Sequence, residues 1–324
     1  MKTKLKLLSL ASMLAVSNMS AIEIGPTGSG VEISGFIDLY YQSKDSTTGS
    51  DTAGLGQVEI DFDYASGPVS ASVDFDLGGD FATKGSDGVA DGDPTLEEAI
   101  ITYDFGNGAS VTYGKMLSYL GFEAYDPINM YQYSTAYESI GGIYDDYAVG
   151  ASVDYANDMF SVGVWSSLSN SPDLEYALAF TGVENLTVKA IVADYGKDSI
   201  SSLNLKGKST FWASYQFGKL LLAAEVAEAE AATATDTESE GFLIMGNYAL
   251  TDKIGLTVRY SEEEISTAYN STTLANEFSK ITISPSYIFN DNLSGLIEYS
   301  TYEDDVTGNA DPEDLLAVEV IYTF

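Results

Sequence analysis

The stretch Val318-Glu319-Val320-Ile321-Tyr322-Thr323-Phe324 alternates apolar and polar residues and stops on an aromatic side chain. With a period of two, Val318, Val320, Tyr322 and Phe324 share one face of a strand, and Glu319 and Thr323 share the other. The last residues of a soluble domain normally fray, whereas a sheet closed into a cylinder pairs its last strand with its first. This ending therefore predicts an all-β fold, a transmembrane antiparallel up-and-down β-barrel. The rest of the chain is read for agreement with that strand.

At the other end, Lys2, Lys4 and Lys6 form a basic region, LLSLASMLAV at 7–16 forms a short apolar run, and Ser17, Ser20 and Ala21 supply small residues. This is the pattern of a secretory signal peptide over 1–21, too short in its apolar part to cross a bilayer as a helix. No later stretch holds eighteen consecutive apolar residues, so no transmembrane helix is expected. The barrel domain is placed at 22–324.

The chain carries 49 acidic and 14 basic residues, for a formal net charge of −35. Losing the signal segment removes three of those 14 bases and no acid, which leaves about −38. Such a charge repels nucleic acid and anionic lipid, so neither is an expected partner. Acidic chains poor in aromatics tend to disorder, but 23 Tyr and 14 Phe argue for folded structure. There is no cysteine and no histidine. Disulfides, thiolate or imidazole metal sites, and Ser-His-Asp or Cys-His catalysis are all excluded. Paired carboxylates alone could hydrolyse glycosides, yet acids are so abundant that a pair carries no signal. The expectation is no enzyme and no cofactor.

Alternation and turn residues mark about sixteen strands, near 31–43, 55–65, 69–78, 95–105, 109–118, 143–156, 159–167, 173–182, 186–195, 206–217, 220–229, 240–250, 253–262, 277–289, 293–303 and 314–324. Most are near the nine to eleven residues that cross a bilayer at a tilt. Connections alternate between tight turns, such as Gly106-Asn107-Gly108 and Gly218-Lys219, and longer polar loops. Seven tight turns and eight long loops fit an even-stranded barrel with both termini on the periplasmic side. A soluble sandwich has no reason to keep that order.

The strand faces separate by chemistry. Val58, Ile60, Phe62 and Tyr64 oppose Glu59, Asp61 and Asp63; Val69, Ala71, Val73, Phe75 and Leu77 oppose Ser70, Ser72, Asp74 and Asp76. Apolar residues belong against outer-membrane lipid, and the polar face against water. Tyr64, Tyr103, Phe105, Tyr155, Phe160, Phe180, Tyr215, Phe217, Tyr248, Tyr287, Phe289, Tyr322 and Phe324 bunch beside the short turns, which is the expected place for a headgroup-level aromatic girdle.

Sixteen strands make a cylinder too wide for its own side chains to fill, so an aqueous channel follows. Parity aims the acids Glu32, Asp38, Glu59, Asp61, Asp63, Asp74, Asp76, Asp154, Glu175, Glu225, Glu298 and Glu319 inward, together with the bases Lys189, Arg259 and Lys280. Fixed negative charge favours cations in the lumen, and salt screening turns this into a preference. Partial protonation or bound divalent ions would instead leave a nearly neutral channel. The longest connection, 119–142, is rich in rings, among them Phe122, Tyr125, Tyr131 and Tyr133. Folded inward it would form a constriction, with Glu123, Asp126 and Glu138 supplying charge; folded outward it would pack on other loops or a second protomer. The acidic loop with Asp87, Asp91 and Asp93 is a weak calcium candidate that lacks the register and the bidentate Glu of an EF-hand, and a plain solvated acidic loop is the simpler reading.

The opening VEISGFIDLYY at 31–41, together with Tyr113-Gly114-Lys115 and Leu120-Gly121-Phe122-Glu123, resembles the OmpL-like β-barrel porin-2 family. The motif likeness spans roughly 31–140, and the remainder agrees in architecture. The resemblance implies an outer-membrane porin for ions and small hydrophilic solutes, and it supplies no catalytic residue. By analogy with porins it also implies a homotrimer. Val320, Tyr322 and Phe324 look like the terminal signal read by barrel-assembly machinery. Two features depart from the pattern: Arg259 is the one arginine, so no arginine ladder exists, and strict alternation aims Lys115 at lipid. A second class stays open, a structural or receptor barrel for adhesion or phage docking whose lumen its loops close.

Overall fold

The computed structural model describes residues 21–25, 28–45, 51–78, 95–123, 126–137, 143–196, 205–231, 237–269, 272–304 and 313–324. The signal segment up to residue 20, Asp87, Asp91, Asp93, Tyr125 and Glu138 lie outside the described residues.

The strands are β1 (Ile22–Glu23), β2 (Val31–Asp45), β3 (Thr52–Ser66), β4 (Val69–Asp76), β5 (Thr95–Asp104), β6 (Ala109–Leu117), β7 (Tyr147–Ala156), β8 (Phe160–Ser166), β9 (Leu174–Phe180), β10 (Leu186–Asp194), β11 (Leu205–Phe217), β12 (Leu220–Ala231), β13 (Thr237–Ala249), β14 (Ile254–Tyr269), β15 (Thr272–Asn290), β16 (Leu293–Asp304) and β17 (Glu313–Thr323). From β2 to β17 each pairs antiparallel with its chain neighbours, and β17 pairs with β2 from Asp314 opposite Asp45 to Thr323 opposite Phe36. The result is a closed barrel of sixteen strands, with β1 a short addition folded back on β2. Both ends of the described chain and the short turns lie at the same end of the cylinder, as an even number of antiparallel strands requires.

Closure has a specific steric condition. Phe324 and Gly35 exchange backbone hydrogen bonds, at 3.0 Å from the Phe324 amide and 3.2 Å from the Gly35 amide. A Cβ at Gly35 would sit 2.2 Å from the Glu59 carbonyl oxygen and 2.8 Å from the Phe324 ring, so glycine alone lets the last strand seat there.

The outward face is apolar and open. Ile101 is 61 % exposed, Val153 60 % and Phe211 52 %, values that make sense against hydrocarbon and not against water. Near the turns, ring pairs such as Tyr103–Phe105 (5.1 Å) and Tyr287–Phe289 (4.9 Å) form part of an exposed aromatic belt. At the opposite end β14 and β15 run well beyond the stretches 253–262 and 277–289 expected from alternation. Their ladder continues through pairs that no longer alternate in hydropathy, such as Glu264 opposite Glu277 and Ile265 opposite Asn276. Alternation in hydropathy reports where a strand meets lipid; backbone pairing extends past it.

The inner face is less uniformly polar than parity on the first strands suggests. Between β6 and β13 it presents Met116, Trp165, Ile191, Trp212, Leu243 and Met245, all buried. This face does not line water; it is a second core, built against the loop that follows β6.

Candidate functional site

That loop enters the barrel and crosses it. Ser118 Oγ and the Tyr119 amide donate to the two oxygens of Glu175 on β9 (3.0 and 2.8 Å), and the Tyr119 hydroxyl donates to Asp154 on β7 (2.9 Å). Phe122 packs edge-on against Trp212 of β11 at 5.5 Å between ring centroids, in the apolar patch described above. A single 3-10 turn, Pro127–Asn129, follows. The far half then meets the opposite wall. The Tyr131 carbonyl accepts from Thr257 (2.9 Å), the Ser134 amide and hydroxyl both donate to Glu298, and Ser261 and Lys280 donate to the carbonyls of Ala136 and Thr135. Tyr133 packs on Tyr40 of β2 at 5.9 Å and reaches Gln42.

Arg259 is the centre of this docking. It is fully buried, pairs with Glu123, and donates to the carbonyls of Ser134 (2.8 Å) and Thr135 (3.0 Å). Glu123 in turn accepts from Gln132 Nε2 and the Ala136 amide, both at 2.7 Å. One charge pair thus fixes both limbs of the loop to β14. Returning toward β7, Tyr137 and Tyr144 donate to Glu225 on β12, and Lys208 of β11 pairs with Asp145 at 2.5 Å. Burial, reinforced by the Glu225 carboxylate, drives both phenols far above the ordinary tyrosine range, so they stay protonated as donors.

The wall formed by β2 to β5 is different. Asp61 accepts from Ser34 (3.1 Å), and Ser72 donates to Asp63 (2.9 Å) and Asp74 (3.0 Å). These acids bond hydroxyls of their own wall. Here two bulges re-aim side chains. Asp38 lies opposite the step where pairing jumps from Val58 to Leu55, which turns both Gly56 and Gln57 inward. Likewise, pairing jumps from Glu98 to Leu96 opposite Asp74 and Phe75, which turns Glu97 inward beside Glu98. Asp126 comes from the loop to meet them. Burial pushes its carboxyl up to about 7, with Glu97, Asp61 and Glu98 adding repulsion.

The structure brings Asp38, Glu59, Asp61, Asp74 and Asp76 together on this wall, with Glu32 and Asp63 exposed at its short-turn end. Glu175, Glu225, Glu298, Arg259 and Lys280 are instead held by the loop, Lys189 lies over the Trp212 ring at 5.2 Å, and Glu319 is buried on β17. Among the inward polar residues that sequence reasoning missed are Glu98, Lys208, Glu263, Gln57 and Glu97. Glu98, Lys208 and Glu263 obey alternation and were available to it. Gln57 and Glu97 depend on the bulges, which leave no mark in hydropathy. Lys115 escapes lipid at the rim, where its amine donates to the Leu96 carbonyl at 2.6 Å beside the Tyr147 ring. Gly114, at φ +147° and with no room for a Cβ against Ala99, allows the local distortion.

With the lumen, its loop and the closing strand in place, comparison with known proteins decides the family. The family model described as "Putative beta-barrel porin-2, OmpL-like" matches residues 30–324. The chain belongs to that family. No curated protein matches in sequence. Among solved structures, this porin-2 barrel is similar to OmpF of Salmonella typhi in complex with daunomycin (TM-score 0.67, 14 % identity, 94 % of this chain and 100 % of that one). It is also similar to the trimer form of OmpT, an outer membrane protein of Vibrio cholerae (0.66, 14 %, 91 % and 99 %). A third likeness is to an anion-selective porin from Comamonas acidovorans (0.65, 12 %, 91 % and 99 %). At such identities the likeness is one of fold.

Proposed function

We propose that this porin-2 barrel is an outer-membrane channel that passes ions and small hydrophilic solutes by diffusion and prefers cations. The observation that carries the reading is the wall of β2 to β5. Asp63, Asp74 and Glu98 keep some solvent exposure there, whereas the basic side chains Lys189, Lys208, Arg259 and Lys280 are all buried on other strands. The charge met by a permeating ion is therefore negative, in a passage narrowed by the loop. The short-turn end with both termini is assigned to the periplasm, and assembly as a homotrimer by the barrel-assembly machinery completes the reading. No catalytic step and no cofactor enter it.

Planar-bilayer recording tests the proposal. Stepwise conductance with a reversal potential on the cation side of a KCl gradient is the expected result; anion preference would overturn the selectivity. One observation favours a second reading, a barrel closed by its loop and serving as a receptor or structural protein. At mid-height Thr257, Arg259, Thr282, Ser284 and Glu298 have no exposed surface. Electrical silence of the folded protein would decide for that reading.

A further inference from the structure

We propose that Glu59, Glu97 and Asp126 form a site for a hard divalent cation of calcium size, which fastens the lumen loop to the acid wall. Its consequence for permeation rests on the channel reading; the site itself does not. One carboxylate oxygen from each residue lies within 4.8 Å of the others. Calcium binds oxygen at 2.3–2.6 Å, so oxygens on opposite sides of the ion stand roughly 4.6–5.2 Å apart, and the three converge on the right scale.

A second observation concerns a neutral side chain. Gln57 is fully buried beside them, its amide nitrogen 2.8 Å from Glu59 and 3.0 Å from Glu97, and its carbonyl oxygen has no hydrogen-bond donor. The amide nitrogen faces the carboxylates here, and a half-turn of the side-chain amide would bring its donorless oxygen to the cluster as a neutral ligand for a cation. Oδ1 of Asp126 and Oδ1 of Asp61 are also sealed and without a donor. Asp126 stands at the N-cap of the 3-10 turn Pro127–Asn129 yet makes no capping bond, so its carboxylate is turned to the wall and away from its own turn. Every donor is oxygen, and the chain has no histidine or cysteine, which selects a hard ion over zinc or copper. Lys115 is nearby but its amine is taken up by the Leu96 carbonyl and the Tyr147 ring, and one charge cannot balance three carboxylates.

The remaining docking bonds of the loop reach β2, β7, β9, β12 and β16, where its own hydroxyls and amides donate to the wall, and β11, β14 and β15, where Lys208, Thr257, Arg259, Ser261 and Lys280 donate to it. Toward β3 and β5 it meets acids, and a bridging cation converts that repulsion into attachment. The test uses the full mature chain folded in neutral detergent and titrated with calcium chloride by calorimetry at near-physiological KCl. One saturable site per chain is expected above the weak background, with a calcium-dependent rise in unfolding temperature. Glu97→Gln combined with Asp126→Asn removes both effects, weakening affinity by roughly tenfold or more, while Glu264→Gln on the exposed face of β14 keeps them. Heat-modifiable gel migration checks that each variant folds; should the double variant fail, Asp126→Asn alone, outside the strands, carries the test. Absence of a saturable site in the native chain, its survival in the Asp126 variants, or its loss in Glu264→Gln would overturn the proposal. Binding is read in detergent, so a silent bilayer recording leaves this result standing and strikes only the channel reading.

Discussion

The wall of β2 to β5 and the wall of β9 to β16 are both lined with carboxylates, and they use them for opposite ends. On the second wall, Glu175, Glu225 and Glu298 each accept donors from the loop, and Glu123 answers Arg259. Those acids are structural: their charge is spent on amide, hydroxyl and guanidinium groups. On the first wall, Asp61, Asp63 and Asp74 accept only wall hydroxyls, and Glu59 and Glu97 share one amide. Their field is left for whatever enters the lumen. Counting inward acids therefore overstates the charge a solute meets, and the pattern of donors shows which carboxylates matter.

The comparison breaks most violently at Arg259. Arg259→Met strands Glu123, 2 % exposed as a side chain, as a buried carboxylate without its partner. Removing one member of a buried pair costs about 3–5 kcal/mol. We expect the loop to leave the β14 wall, the unfolding temperature in detergent to drop sharply, and single-channel conductance to rise. An unchanged conductance would show that the loop does not limit the passage. Next in size is Phe122→Ala, which empties the contact with Trp212 and costs about 3 kcal/mol. Because the Arg259 pair is intact, this variant should loosen only the first limb, seen as faster proteolytic nicking near 118–123 with smaller gains in conductance.

Neutralising the two walls separately sharpens the contrast. Asp61→Asn, Asp74→Asn and Glu98→Gln together should move the reversal potential toward zero and raise thermal stability by roughly 1 kcal/mol, since mutual repulsion is relieved. Glu225→Gln and Glu298→Gln should lower stability and leave selectivity nearly unchanged. Equal shifts in reversal potential from both sets would refute the division of labour.

How much of this was legible in the sequence follows from what alternation measures. The closing strand from Val318 to Phe324, the tight turns and the inward parity of Asp61 or Glu298 are all local, and a period of two reports them. Alternation also brings Leu243 and Met245 inward, but it does not say that Phe122 arrives to cover them. The partner of Glu123 is 136 residues away, and no local pattern chooses Arg259 over Lys280 for it. Gln57 and Glu97 needed register shifts on β3 and β5, which depend on how neighbouring strands slide to close the cylinder. Fold was legible because it repeats; the site was not, because each of its contacts occurs once.

The smallest effect concerns the boundary between the walls. Tyr133 sits there, packed on Tyr40 of β2 and bonded at 3.4 Å to Gln42, a long and weak contact. Burial, followed by the charge of Glu319, drives its phenol well above the ordinary range, so the hydroxyl is a permanent donor. Tyr133→Phe keeps the ring and removes the donor, and should cost only about 0.5–1 kcal/mol in thermal unfolding. Reversal potential and conductance should match the native chain within error, because the loop remains held by Glu298 and Arg259 on one side. Should this variant shift selectivity as strongly as neutralising Asp61, Asp74 and Glu98, the passage would have to run beside Tyr133, between β2 and β17, and the acid wall would lose its assigned role.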